Sequence, residues 1–274
     1  MKFSYYKSKG GNLGDDINSL IWRKLLKTEK DITVLGIGTI VYPGSPHLEN
    51  SEAKIIIGSG VRKVGDLTNF KLSSNVDVQF VRGPLSSKVL NGVPYITDPG
   101  ILVRDLIQTR GERKGICYIP YFASEEIFNY KGIGLDIVSF KVNNSDEMER
   151  VLARLSNYEL IVTESLHGAI FADAFNIPWL KVNGYPEYYE SREVHKFKWD
   201  DYNLSMGRSA YRNIELKVQW YLRFKKVQSI LAFFGFKMNK IIHKDMFLGY
   251  AGNTINESVV DKKINDIKKV LIDL

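Results

Sequence analysis

The stretch IVTESLHGAIFADAFNIPW, residues 161–179, decides the fold of this chain. Its first apolar residues fit a buried strand, Glu164 and Ser165 interrupt the run, and the amphipathic pattern that begins at Leu166 fits a helix, which ends before Pro178. In an open α/β sheet, ligands bind outside the carboxyl ends of the strands. We therefore expect the turn at Ser165 to face a ligand-binding crevice.

The first turn of this predicted helix has the groups needed to bind an anion and to move a proton. The first N–H groups of a helix have no partner within it, so they can bind an anion. His167 lies in this turn and can exchange a proton near neutral pH. From spacing alone, His167 could equally be a packed histidine without a chemical role, because a doubly wound domain has several such corners.

The residues of this stretch resemble the signature of the polysaccharide pyruvyl transferase family. The run SLHGAI at residues 165–170 carries the resemblance, and Thr163, Glu164 and Trp179 beside it are similar to the exopolysaccharide ketal-pyruvate transferase branch. Further matches follow in the family's order and make the resemblance specific over residues 1–205. They are YY at 5–6, GNLGDDIN at 11–18, GSG at 58–60, VRGPLS at 81–86 and TDPG at 97–100.

The resemblance implies an enzyme that transfers pyruvate from phosphoenolpyruvate to two hydroxyls of a sugar, forming a pyruvate ketal. The acceptor would be a saccharide, expected to be lipid-linked, in the biosynthesis of an exopolysaccharide or capsule. Phosphoenolpyruvate is a co-substrate, and no cofactor is implied. Two alternatives stay open: a glycosyltransferase that uses a nucleotide sugar on the same fold, and a non-catalytic, membrane-peripheral module of polysaccharide assembly.

The required chemistry gives the matched residues expected roles. His167 is expected to transfer protons, while Ser165 and the helix N-terminus receive the donor phosphate. Asn12, Asp15 and Asp16 lie in the glycine-rich loop SKGGNLGDD and are expected to bind sugar hydroxyls, with either Asp15 or Asp16 orienting or deprotonating the acceptor. The alternative for this loop is a turn followed by a helix cap.

Other candidate binding residues lie at the predicted ends of strands or in the matched motifs. Arg82 can hold a carboxylate or phosphate with two hydrogen bonds, although a structural ion pair is an equal alternative. Asp98 fits either a helix cap or an active-site group. The remaining predicted binding residues are Gly14, Ser59, Gly60, Glu164, Leu166 and Gly168.

One position departs from the family pattern. Many members carry arginine directly before Leu-His, where it binds the donor, and this chain has Ser165. Another cation then has to neutralise part of the donor's charge. Arg82, Arg192 and Lys196 are the candidates from sequence.

Alternating strand and helix patterns predict an α/β protein with two Rossmann-like domains that face a cleft, a glycosyltransferase-B-like arrangement that the resemblance also implies. Residues 1–109 form the predicted acceptor domain, and residues 110–210 form the predicted phosphoenolpyruvate domain. A helical, basic tail follows at 211–274. Within the first domain, one strand is predicted at 93–97 and one helix at 16–26.

The tail contains a basic amphipathic segment from Trp220 to Lys244. Apolar residues recur at helical spacing as far as Ile241, and seven Lys and Arg side chains, with no acidic one, lie between Glu215 and Asp245. These seven equal the net charge of +7 of the whole chain, so the remainder is formally neutral, which argues against a nucleic-acid partner. The segment predicts contact with an anionic membrane surface or, alternatively, an ordinary packing helix.

Composition is that of a globular protein, with 274 residues, 44% hydrophobic and 25% charged. The single Cys117 lies in an apolar run and is expected to be a buried thiol, which suits a reducing cytoplasm. No metal site is expected, because His47, His167, His195 and His243 form no ligand pairs. The start of the chain lacks a signal-peptide pattern, and no apolar run approaches the ~20 residues of a membrane span. We expect a cytoplasmic protein, peripheral to the inner face of the membrane if the tail binds lipid.

Overall fold

The computed structural model describes residues 1–26, 31–49, 51–65, 67–108, 111–216, 227, 237–239 and 242–274, without the side chain of residue 188. These residues form an α/β fold with parallel sheets, as predicted. The helices are α1 Leu13–Leu25, α2 Pro84–Val89, α3 Val103–Leu106, α4 Ser124–Ile127, α5 Ser145–Leu155, α6 Leu166–Ala174, α7 Tyr185–Glu190, α8 Arg192–Ser205 and α9 Glu257–Ile272. The strands are β1 Lys2–Phe3, β2 Thr33–Leu35, β3 Lys54–Ile57, β4 Val76–Phe80, β5 Ile116–Ile119, β6 Phe128–Asn129, β7 Asp136–Ile137, β8 Leu160–Thr163, β9 Trp179–Asn183, β10 Asn213–Glu215 and β11 Met238–Asn239.

The strands form two main sheets and one short pair. The first sheet has the order β1-β2-β3-β4, the second has the order β10-β9-β8-β5-β7, and β11 pairs with β6. All of these strand pairs are parallel. Every residue of β2, β3, β8 and β9 is buried, as expected for parallel strands covered on both faces.

The organising stretch folds as the sequence predicts, with β8 running into α6 through a tight turn. Thr163 holds this turn, because its hydroxyl accepts from the Ser165 N–H and donates to the Ser165 carbonyl, both at 2.9 Å. A Cβ on Gly168 would lie 2.2 Å from the Thr163 hydroxyl oxygen, so only glycine lets α6 start this close to β8.

Helix α1 starts at Leu13, three residues earlier than predicted. Asp15 and Asp16 therefore both lie in its first turn. Asn12 is the N-cap residue, and the Asp16 carboxylate accepts from the Asn12 N–H at 2.6 Å. The Leu13 N–H donates to the carbonyl of Phe140, which follows β7, at 2.7 Å. The start of α1 is thereby held against the second half of the chain.

Two predicted elements differ in the structure. At residues 93–97 there is only a single bridge between Tyr95 and Val81, because Pro94 has no N–H to extend the pairing. Met238 and Asn239, inside the predicted amphipathic helix, form β11 instead. Residues 217–226, 228–236 and 240–241 lie outside the described residues, so the rest of that helix stays a prediction. In the part of the chain that is described, no helix is both long and apolar enough to cross a bilayer.

In the chain, helix α8 lies between β9 and β10 of the second sheet, but it packs on α2, which follows the first sheet. Asp201 of α8 is fully buried and accepts from the N–H groups of Leu85 and Ser86, both at 2.9 Å, and from the Ser86 hydroxyl at 2.6 Å. It also accepts from Arg82 Nε at 3.1 Å. The last helix, α9, also packs on the part of the chain that contains the first sheet, because its Asp261 pairs with Arg104 of α3 at 3.1 Å. The predicted domain limits remain a prediction.

Because the ion pair between Arg82 and Asp201 is buried, we expect the loss of one of its charges to lower the stability of the fold strongly. Asp201→Asn leaves the buried Arg82 guanidinium without its counter-charge, and we expect the free energy of unfolding to fall by about 3–5 kcal/mol, measured by urea denaturation. The matched control is Asp266→Asn on α9, which removes an exposed pair with Lys262 four residues away, and should change stability by at most about 0.5 kcal/mol. Equal effects of the two variants would contradict this account.

Candidate active site

A cavity of about 450 Å³ lies where the start of α1, the loops after the strands of the first sheet, the start of α6 and α8 meet. Six of the predicted site residues line it, and they come from positions between 12 and 167. The full lining is Tyr6, Asn12, Asp15, Gly38, Thr39, Ile40, Tyr42, His47, Arg62, Arg82, Tyr121, Phe122, Ser165, Leu166, His167, Tyr189, Glu190, Val194 and Lys198.

His167 is the second residue of α6, and its ring lies against the start of α1. A Cβ on Gly14 would lie 2.1 Å from His167 Nδ1, so Gly14 acts by leaving room for the imidazole. Nε2 is buried, and no partner for it exists among the described residues. The pKa of His167 is lowered to about 3, first by burial and then by the positive charges of Lys198 and Arg82. His167 is therefore neutral at pH 7.

Asp15 lies in the first turn of α1 and shows the opposite pKa shift. Its carboxylate accepts from the Asn12 side-chain amide at 2.6 Å. Burial raises its pKa to about 7, with Asp16 acting in the same direction and Lys198 acting against it. Asp15 thus keeps its proton to a higher pH than an ordinary carboxyl group.

The sequence left two roles open for Arg82, a structural ion pair and a ligand-binding cation. In the structure Arg82 forms an ion pair and also lines the cavity. It is 1% exposed, its Nε pairs with Asp201, and its Nη1 donates to the Thr39 hydroxyl at 2.8 Å. Its Nη2 is buried without a hydrogen-bond partner in the described part of the chain. A Cβ on Gly60 would lie 2.3 Å from this guanidinium, so Gly60 makes space for it.

Lys198 of α8 is a cavity cation that sequence reasoning missed. Its Nζ lies 2.5 Å from the carboxylate of Glu190, which also accepts from the Tyr121 hydroxyl at 2.8 Å. The same ammonium lies 5.5 Å from the centre of the Tyr121 ring. Lys198 falls midway between Val194 and Tyr202 on the buried face of α8, and a lysine at that position of an apolar face is the sequence signal that could have identified it.

The two other cations proposed from sequence do not line the cavity. Arg192 is 80% exposed and pairs with Glu187 at 3.4 Å. Lys196 is 72% exposed and pairs with Asp200 on the next turn of α8. Helix periodicity separates Lys196 from Lys198, because positions two apart lie on different faces.

Besides Gly14 and Glu164, five predicted site residues also lie outside the cavity lining. Asp16 caps α1, as described above. Ser59 is buried and donates to the Gly36 carbonyl at 3.1 Å. Asp98 caps the 3₁₀ turn Pro99–Leu102 by accepting from the Gly100 N–H at 2.9 Å, and burial raises its pKa to about 6. The remaining two are Gly60 and Gly168.

Glu164 lies behind the lining and acts on it through a neighbour. It is 1% exposed, and its carboxylate accepts from the Tyr121 N–H at 2.9 Å. Tyr121 in turn belongs to an aromatic wall with Tyr6, Phe122 and Tyr189, in which neighbouring ring centres lie between 4.5 and 6.4 Å apart. Glu164 is thus a positioning residue for this wall.

Comparison with known proteins agrees with the resemblance of the motifs. A family model described as polysaccharide pyruvyl transferase matches residues 10–184. The chain belongs to this family. The match includes the cavity residues from Asn12 to His167 but ends before α8, so Glu190 and Lys198 lie beyond it.

One relative known by name and one solved structure are similar to this chain. The chain is 32% identical over 216 residues to the succinoglycan biosynthesis protein ExoV of Rhizobium meliloti (strain 1021), a match that covers 76% of this chain and spans 65% of that protein. The crystal structure of an uncharacterized protein from Klebsiella pneumoniae shares 16% identity and a TM-score of 0.42, covering 79% of this chain and 93% of that chain.

The raised pKa of Asp15 predicts a pH-dependent effect on stability. In the unfolded chain this carboxyl loses its proton near the ordinary 3.8, whereas the folded protein keeps it up to about 7. The unfolded state therefore binds fewer protons in this window, and stability is lost as pH rises through it. Asp15→Asn removes this loss, so we expect its gain in melting temperature over the parent to be larger at pH 8 than at pH 5.

The control for this measurement is Asp77→Asn, which replaces an exposed carboxylate on β4. Its melting temperature, relative to the parent, should be the same at the two pH values. A difference between Asp15→Asn and the parent that does not change with pH would show that Asp15 does not titrate near pH 7.

Proposed function

We propose that this chain transfers the pyruvyl group of phosphoenolpyruvate to two hydroxyls of a sugar in a surface-polysaccharide precursor, forming a pyruvate ketal. Family membership supports this proposal. The observation that carries it is a cavity in which Arg82 Nη2 and His167 Nε2 both lack partners among the described residues, beside the start of α6 and an Asp15 of raised pKa.

The reaction requires a defined set of proton transfers. The methylene carbon of phosphoenolpyruvate gains one proton, which leaves an oxocarbenium-like centre at the neighbouring carbon. Two sugar hydroxyls add to that centre and lose one proton each, while the bond from this carbon to the phosphate oxygen breaks. Of the two protons released, one balances the proton taken up by the methylene, and phosphate leaves with the other. The site therefore needs an acid, a base and positive charge for the departing phosphate.

Donor binding is assigned to the start of α6 and to Arg82. The N–H groups of the first turn after Ser165 favour an anion, and α6 begins at the cavity. The Arg82 Nη2 supplies one further charged donor in a site of low dielectric, where such a bond is strong. Ser165 makes no side-chain cap bond to α6, so its hydroxyl is available to the donor.

The two opposed pKa shifts suggest which group is the acid and which is the base. Asp15, with a pKa of about 7, retains a proton that it can give to the methylene carbon. His167 is neutral and can accept the proton of a sugar hydroxyl. Phosphate and carboxylate of a bound donor would offset the positive charges of Lys198 and Arg82, which raises the pKa of His167 and makes it a stronger base.

The acceptor is proposed to be a lipid-linked saccharide, held by Asn12 and by the aromatic wall of the cavity. The name of the similar ExoV protein, which refers to succinoglycan biosynthesis, supports an exopolysaccharide precursor. We further propose that the two parallel sheets are Rossmann-like domains in a glycosyltransferase-B-like arrangement, and that the chain works at the cytoplasmic membrane face through its basic segment.

One experiment separates the proposed reaction from its alternatives. The purified protein is incubated with lipid-linked saccharides and either phosphoenolpyruvate or UDP-sugars. Release of phosphate that depends on the acceptor, with a mass gain of one ketal on the saccharide, is the expected result. Release of nucleotide would establish a glycosyltransferase instead, and neither product would indicate a non-catalytic assembly module.

His167 should be essential for turnover but not for folding. His167→Asn retains a polar side chain but cannot exchange a proton near neutral pH, so we expect phosphate release to fall by at least ~10²-fold. The melting temperature should stay close to that of the parent, because Nε2 has no hydrogen bond to lose within the described chain. Turnover within a few fold of the parent would remove His167 from the mechanism.

A further inference from the structure

We propose that Lys198 binds an anionic group of the donor, and that this group displaces the Glu190 carboxylate, which pairs with Lys198 in the structure. This inference rests on the proposed function and names the second cation of the same site. Lys198 and Glu190 both lie beyond the part of the chain that matches the family model.

The negative charge of the donor requires a second cation besides Arg82. Phosphoenolpyruvate carries a phosphate and a carboxylate, and Arg82 has already committed Nε to Asp201 and Nη1 to Thr39. One guanidinium nitrogen is then left for two anionic groups. The lining contains two more cations in the described chain, Arg62 and Lys198.

Of these two cations, Lys198 is the one whose charge acts on the proposed proton-transfer groups, with which it shares the cavity lining. Its charge acts on both Asp15 and His167, opposing the rise in the pKa of the first and contributing to the fall in the pKa of the second. Arg62 instead lies over the ring of Tyr42, at 5.7 Å from its centre. A donor held by Arg82 and Lys198 would therefore have its reacting carbons close to Asp15 and His167.

Glu190 has the chemistry of a competitor for the donor. Its carboxylate lies 2.5 Å from Lys198 Nζ in the cavity lining, and the side chains of the two residues are only 15% and 11% exposed. A carboxylate or phosphate oxygen of the donor can make the same charge-assisted hydrogen bond. The Tyr121 hydroxyl donates to the Glu190 carboxylate at 2.8 Å, and this hydrogen bond can remain when the donor displaces Glu190 from Lys198. Glu190 is thus a positioning residue that sets donor affinity.

The test compares three variants by phosphate release and by calorimetric binding of phosphoenolpyruvate. Lys198→Met should raise KM and Kd for phosphoenolpyruvate roughly 10- to 100-fold, the value of a hydrogen bond to a charged group. Lys198→Arg should retain most of the affinity. Adding Ser165→Arg to Lys198→Met returns a cation to the lining beside His167 and should restore much of the loss.

Glu190→Gln tests the competition directly. Glutamine keeps an oxygen for the Tyr121 hydroxyl but removes the charge that pairs with Lys198, so phosphoenolpyruvate should bind several-fold more tightly. Weaker binding would overturn the competitor role. This variant also tests the proposal independently if Lys198→Met does not fold, because the two changes are expected to act in opposite directions on Kd.

The matched control is Lys196→Met, two residues earlier on α8 and exposed, which should leave KM for phosphoenolpyruvate unchanged. If the parent turns over phosphoenolpyruvate but Lys198→Met has parental KM and Kd, the inference is wrong and the proposed function stands. If the parent neither binds nor turns over phosphoenolpyruvate, both fall together.

Discussion

The ion pair between Arg82 and Asp201 is the interaction on which the geometry of the site depends. A buried pair stabilises a fold only when its remaining donors and acceptors are also satisfied. Asp201 meets this condition through the first turn of α2, and it thereby fixes α8 on the half of the chain that contains the first sheet. The same contact holds Arg82 and, through α8, Lys198 in the lining of one cavity, where Arg82 Nη2 has no hydrogen-bond partner among the described residues.

Burial has opposite effects on the pKa values of the two proton-transfer candidates, and both effects favour the neutral form. It raises the pKa of Asp15 and lowers that of His167, because a low dielectric disfavours either charge. The fixed charges in the lining are instead carried by Arg82, by Arg62 and by the Lys198–Glu190 pair. A lining with these positive charges is suited to an anionic ligand.

Several glycines of the matched motifs leave room for neighbouring side chains of the site. Gly14, Gly60 and Gly168 each lie where a Cβ would come within 2.3 Å of His167, Arg82 or Thr163. A sequence motif marks such positions as important but does not distinguish a ligand contact from a close approach of two protein segments. Nor does a motif indicate that Asp16 accepts a hydrogen bond from the Asn12 N–H, whereas Asp15 lines the cavity.

The sequence by itself determined the α/β class, the turn from β8 into α6 and the family, because local periodicity, caps and motif order are encoded in consecutive residues. It also identified Asn12, Asp15, Arg82, Ser165 and His167, which the structure brings to one cavity. Only the tertiary structure decided that Lys198, and neither Arg192 nor Lys196, is the cation beside them. Its place depends on the packing of α8 against α2, a contact between residues more than a hundred positions apart, for which no local pattern exists.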